Sequence, residues 1–148
     1  MIRDDLKMTG KLHIVLRDAD NKIVEEREAN NLVVTTGKAF IASRMASASA
    51  SVMSHMAIGT SNTAPAAGDT TLGSESARVA LASTTANNND VVYVATFPAG
   101  TPSSTASIVE AGLFDAASGG TLLCRSLMGV ITKPSTMSLT ITWTVTAN

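Results

Sequence analysis

The sequence predicts an all-β fold, an antiparallel β-sandwich or jelly roll with one short helix, occupying residues 10–148 behind a flexible arm of residues 1–9. Three observations carry this. Met137-Ser-Leu139-Thr-Ile141-Thr-Trp143-Thr-Val145-Thr146 alternates apolar and hydroxyl side chains without a break, and successive side chains of a strand point to opposite faces. Leu139, Ile141, Trp143 and Val145 therefore enter a core, while Thr140, Thr142 and Thr144 meet water or a partner. β-Branched and apolar runs recur along the chain between clusters of Asn, Asp, Gly and Ser, the signature of strands joined by turns. Aromatic residues make up only 3% of the chain, so the core must be built from small aliphatic groups with Trp143, Tyr93, Phe40, Phe97 and Phe114 as its few large pieces.

Taken in order, residues 1–9 mix charge and apolarity without a period. Arg3, Asp4, Asp5 and Lys7 keep the segment soluble, whereas Ile2, Leu6 and Met8 are apolar anchors with no element of their own to bury them, the pattern of an arm ordered by a partner. Lys11 to Arg17 reads as a strand with Leu12, Ile14 and Leu16 inward, and the polar turn Asp18-Ala-Asp20-Asn21 leads into a second strand, Lys22 to Ala29. Leu32-Val33-Val34 is a further extended piece. Lys38 to Met45 has the i, i+4 spacing of a short amphipathic helix, begun by a threonine cap. Val52 to Gly59 fits a strand, and Thr60 to Gly73 is an exposed loop in which Pro65, Gly68 and Asp69 break any ladder. Residues 77–86 and 91–97 flank Asn87-Asn88-Asn89-Asp90 as a hairpin. Ile108 to Phe114 and Thr121 to Val130 form another across Ala116 to Gly120. The total is about eight strands, a number suited to a sandwich or jelly roll.

Length and composition bound the function. A chain of 148 residues can bury a core as a single domain without metal or disulfide staples. Eleven basic and twelve acidic residues give a net charge of -1, too balanced to draw the chain to nucleic acid or anionic lipid by its overall field, which leaves room only for a local patch. The lone Cys124 excludes an intramolecular disulfide framework. No apolar run is long enough to cross a bilayer or to serve as a signal peptide, so a soluble protein without membrane contact, not exported by a classical route, is expected.

Few side chains suggest chemistry. His13 lies on a polar face with Lys11 and Arg17, and His55 sits in an apolar strand, so the two do not converge on a metal. Cys124 alternates with Leu122, Met128 and Val130 and faces inward as a small hydrophobe. Glu25, Glu26 and Glu28 accompany Arg27 on one strand and read as a solvated face. Glu110 stands out, because it shares a strand face with Ile108, Gly112 and Phe114. A carboxylate there must find a cation, and Arg78, Arg44 and Arg125 are available. No catalytic residue, metal ligand or cofactor emerges, and no enzyme activity is expected.

Several segments, taken together, resemble small structural proteins of tailed bacteriophages, of the capsid cement or head-decoration kind. They are Met56 to Gly73, Ala77-Arg78-Val-Ala-Leu81, Ala95-Thr-Phe97-Pro-Ala-Gly100, Glu110 to Asp115, and Leu139 to Val145; the likeness spans residues 30–147. The resemblance implies a protein of the virion's capsid surface, assembled in the host cytoplasm. Its partners would be itself, as dimer or trimer, and the major capsid protein, with no direct contact to nucleic acid. The interface residues expected are Ile2, Arg3, Leu6, Lys7 and Met8 of the arm, Pro65 of the loop, and Thr140, Thr142 and Thr144; Trp143 and Glu110 are expected to be structural. Glu110-Ala-Gly112-Leu-Phe-Asp115 is also similar to a Glu-x-Gly-Leu-aromatic-Asp hairpin in attachment domains of phage tail fibres. That likeness implies a small tail, collar or fibre-adaptor protein as the alternative. Such fibres normally continue into a distal receptor-binding part, whereas this sequence ends at its last core strand, which favours the cement expectation.

Overall fold

The computed structural model of the chain describes residues 6–47 and 51–148. Among them are nine strands and one helix: β1 (Met8–Arg17), β2 (Ile23–Val33), α1 (Thr35–Ala46), β3 (His55–Gly59), β4 (Glu75–Ala80), β5 (Ser83–Asn87), β6 (Asp90–Phe97), β7 (Ala106–Phe114), β8 (Leu122–Lys133) and β9 (Ser138–Ala147). The strands pair antiparallel in one curled sheet of order β4-β3-β7-β8-β2-β1-β9-β6-β5. The all-β class with a single helix is as the alternation predicts.

The sheet folds over on itself within β2. Ile23 to Asn30 pair with β1, whereas Asn31, Leu32 and Val33 pair with Ser126, Arg125 and Cys124 of β8. One strand thus serves two layers, and the apolar faces close on each other. Leu12, Ile14, Leu139, Ile141 and Trp143 of one layer share a core with Met56, Ile58, Leu113 and Ile131 of the other. The ends of the sheet, β4 and β5, are successive in the chain. Only Leu81 and Ala82 separate them, and the corner is held in both layers: Leu81 N donates to Ser54 O at 2.9 Å and Ala82 N to Val94 O at 2.7 Å.

Local chemistry explains the turns. The Asp18 carboxylate accepts from the main-chain N–H groups of Asp20 and Lys22, an Asx turn in which Asn21 takes a left-handed φ of 64°. Asn88, at φ 55°, does the same between β5 and β6. Trp143, with no exposed surface, lies mid-strand among buried Leu139, Ile141 and Val145.

Four expectations change. Residues 77–86 are two strands, not one, because the chain must cross between layers at Leu81–Ala82. Residues 22–29 and 32–34 merge into the single β2, since the strand that joins the layers has to be continuous. The helix starts at Thr35 with Val34 at its N-cap and no side-chain cap; the Thr36 hydroxyl instead donates to Leu122 O at 2.9 Å, tying α1 to β8. Finally, residues 8 and 9 of the expected arm belong to β1. Met8 and Thr9 pair with Ala147 and Thr146, and Lys7 and Asn148 exchange main-chain hydrogen bonds of 3.2 and 2.8 Å. A free main-chain edge beside β9 draws these residues into the ladder. Leu6 is 69% exposed, while Ile2, Arg3, Asp4 and Asp5 lie outside the described residues.

Candidate functional site

A row of four residues crosses the outer face of the layer β4-β3-β7-β8. Arg78 lies opposite Ala57, Ala57 opposite Gly112, and Gly112 opposite Arg125. Partners in register share a face, so two long cations flank two small residues and leave a trough between them. The loop after β3 lies in that trough. Its Leu72 packs with Val34, Ala57, Phe114 and Leu122 in a small cluster apart from the main core, and a Cβ at Gly112 would stand 2.8 Å from Leu72 Cδ2.

Glu110 ties the loop down. Its Oε1 accepts from Gly73 N at 2.8 Å and from Arg125 Nε at 3.0 Å, and its Oε2 accepts from Ser61 N at 3.0 Å and Ser74 N at 2.7 Å. Both ends of the loop thus donate to one carboxylate. Arg125 reaches further along it, donating through Nη1 to Asp69 Oδ2 at 3.0 Å and through Nη2 to Thr63 O at 2.8 Å. Asp69 also accepts from Ala66 N. That main-chain N–H, joined by the Arg125 guanidinium, holds the Asp69 carboxyl below its usual range against an opposing effect of desolvation. Gly59 is required beside this knot, because a Cβ there would lie 2.4 Å from Ser74 O and 2.6 Å from Glu110 Oε2.

The rest of the Glu110 to Asp115 segment also does structural work. Phe114 lies under Arg78, whose Cζ is 3.7 Å from the ring centroid, a cation–π contact. Arg78 pairs with Glu75 and donates to Ala116 O and Gly119 O of the β7–β8 turn at 3.0 and 2.8 Å. Asp115 closes that turn by accepting from Thr121 N and from the Ser51 hydroxyl.

Of the three cations available to Glu110, Arg125 is the partner. One detail of the expected face changes. The β7–β8 register slips between Ile108 and Glu110, so Ile108 belongs to the main core while Glu110, Gly112 and Phe114 lie under the loop. Asp69, Leu72 and Thr63 were not legible as members of the knot, since the loop that carries them has no periodicity that would reveal its seat.

Among the described residues, those expected at an interface do not form one surface. Pro65 is half-buried in the loop of the β3–β4 layer. Thr140, Thr142 and Thr144 are half-buried on the outer face of the opposite layer, flanked by β1 and β6, and Thr140 shares a hydroxyl contact of 3.0 Å with Thr96. Thr142 and Thr144 line a shallow hollow of about 530 Å³ with Lys11, His13 and Glu28. Leu6, Lys7 and Met8 border another, of about 430 Å³, with Asn31 and Lys38. Glu26 and Glu28 on this outer face pair with His13 and Lys11, whereas Glu25 and Arg27 pair with each other on the opposite side of β2.

The chemistry of the knot is that of a clamp. Glu110 has no exposed surface and both of its oxygens are filled by donors, so it meets no solute while the loop is seated. Among the described residues no group of three or more His, Cys, Asp or Glu stands close enough to hold a metal ion, and no helix is long and apolar enough to cross a membrane. No family model matches the sequence, and no curated protein or solved structure shows significant similarity to it.

Proposed function

We propose that this chain is a bacteriophage virion structural protein, a capsid cement or decoration protein that sits on the capsid surface and bridges and stabilises major capsid subunits. One observation supports the reading above the others: three of the five segments that together resemble phage virion proteins meet at one place in the fold. Met56 to Gly73, Ala77 to Leu81 and Glu110 to Asp115 converge on the trough between Arg78 and Arg125, where hydrogen bonds to Glu110 and Arg125 tie the outer loop down. A loop ordered on folding loses little entropy on docking, which suits it to recognising a fixed lattice of neighbours. Copies of the chain and the major capsid protein are the partners, and the protein assembles in the host cytoplasm.

A second reading, a small tail, collar or tail-fibre adaptor protein, draws on the hairpin alone. Every residue of Glu110 to Asp115 except Ala111 and Leu113, which enter the main core, serves the clamp or its turn. Electron microscopy of virions carrying a labelled chain, with the copy number per particle, separates the two. Label spread over the head at capsid-like stoichiometry is expected. A single ring or trimer at the tail selects the second reading, and absence from purified particles overturns both.

A further inference from the structure

The two ends of the sheet are finished differently. At β4 the edge carries the Glu75–Arg78 ion pair, and its pairing with β3 slips at Ile58/Gly59. Charge and irregularity are the devices by which natural sheets refuse an added strand. At β5 the sequence Ser83-Thr84-Thr85-Ala86-Asn87 has every residue exposed, no charge, no proline and no slip in its register with β6. Asn87 and Asp90 close a two-residue turn and form a hydrogen-bonded pair, so Thr85 also bonds to β6, and the N–H and C=O of Thr84 and Ala86 face away from the sheet. Beside them are two apolar hollows. Thr84 and Ala86 line one of about 320 Å³ with Phe40, Val52 and Tyr93; Ala86 lines the other, about 290 Å³, with Ile41 and Val91.

We propose that β5 is where a second copy of this chain adds, its own β5 running antiparallel about a two-fold axis through Thr85. Thr84 of each copy then exchanges main-chain hydrogen bonds with Ala86 of the other, and Thr85 faces Thr85. Three features select a copy over an unrelated strand. The segment is neutral, so an isologous contact sets no like charges opposite one another. A two-fold axis normal to the sheet keeps the apolar hollows of both copies on one face, where each gains the other's Thr84 and Ala86 as a wall. Charge is complementary as well. Arg44 lines the hollow at the Thr84 end and Asp90 lines the one at the turn, so the antiparallel arrangement sets the Arg44 end of one copy against the Asp90 end of the other.

The inference goes beyond the virion reading and does not rest on it: a chain that pairs in solution but is missing from particles overturns that reading alone. The test is sedimentation of the purified full chain with Thr85→Lys and Thr85→Glu variants. Thr85 points outward on an exposed strand, so both variants should fold, which circular dichroism and melting check. The wild type is expected to dimerise, each variant to be monomeric from like charges meeting on the axis, and an equimolar mixture of the two variants to regain the dimer. A wild type that stays monomeric across the accessible concentration range overturns the proposal. So does an oligomer that survives either charge substitution, or a mixture that stays monomeric.

Discussion

The indole N–H of Trp143 donates to Asn31 Oδ1 at 2.6 Å, linking the centre of one layer to the point in β2 where the sheet changes layers. The contact depends on a third position, because the Asn31 carboxamide lies where a side chain at Gly10 would begin: a Cβ there would stand 1.6 Å from Asn31 Oδ1. Asn31 can therefore lean across β1 only because position 10 carries no side chain. Trp143→Ala should cost about 3–5 kcal/mol, as for other buried aromatics. Gly10→Ala should also destabilise, and its penalty should shrink when combined with Asn31→Ala, which clears the space. Urea unfolding of the three variants and the double variant measures this coupling. Equal penalties for Gly10→Ala in both backgrounds would show that the carboxamide does not set the constraint.

Removing one member of the clamp strands the other. Glu110→Gln leaves the Arg125 guanidinium buried with Asp69 as its remaining carboxylate, and breaking a buried pair in this way costs about 3–5 kcal/mol. The variant should melt earlier and be cleaved by protease within residues 60–73, where the wild type resists. Glu110→Gln combined with Arg125→Met should cost less than the sum of the single changes, because neither of the two buried charges is then left facing a neutral partner. Strict additivity would mean the two residues act separately.

Acid should weaken the loop's attachment through Asp69. Its carboxyl titrates below the ordinary value of 3.8 in the folded chain. The stabilisation is therefore complete above the unfolded value and is lost as pH falls through the lower folded value. Asp69→Asn should be less stable than wild type near neutrality, with the gap closing in acid. A gap that stays constant to the lowest pH at which the protein remains folded would exclude the linkage.

Alkali acts on the opposite layer. Burial pushes the Tyr93 phenol up from its ordinary 10.0 to about 12, and no other tyrosine is present in the sequence. Below pH 10 both folded and unfolded chains keep the proton and stability is full. Between 10 and about 12 only the unfolded chain ionises, so stability falls. Ultraviolet difference absorbance should show phenolate appearing near 12 in the native protein and near 10 in urea, and a native midpoint at 10 would place the phenol in water.

What could be read from the sequence follows from how locally each feature is encoded. β9 was legible because its alternation has the period of a half-buried strand and both neighbours, β1 and β6, use the same inward face. The Asn87–Asp90 turn was legible because Asn tolerates the conformation that the turn demands. The buried carboxylate of Glu110 announced a need for a cation, but not which one: the choice of Arg125 rests on the β7–β8 register, itself shifted by the slip after Ile108. Leu72 and Asp69 were hidden for a different reason. Their loop is polar and rich in small residues by composition, and only the trough left by Ala57 and Gly112 gives it a seat. β4 and β5 read as one strand because nothing in Val79-Ala-Leu81-Ala-Ser83 marks the corner that the second layer imposes.

The position of β9 makes the closing of its layer wait on a strand made after both of its neighbours. It lies between β1 and β6, third from the β5 edge of the sheet, yet it follows both of them in the chain. Until Ser138 to Ala147 have been synthesised, β1 and β6 each present an unsatisfied main-chain edge, and the greasy sides of Leu12, Ile14, Tyr93 and Phe97 have no Trp143 to close over them. Ribosome-bound chains halted before residue 138 should consequently be sticky and chaperone-dependent, and emergence of β9 should let the layer close cooperatively, as expected where long-range pairings dominate.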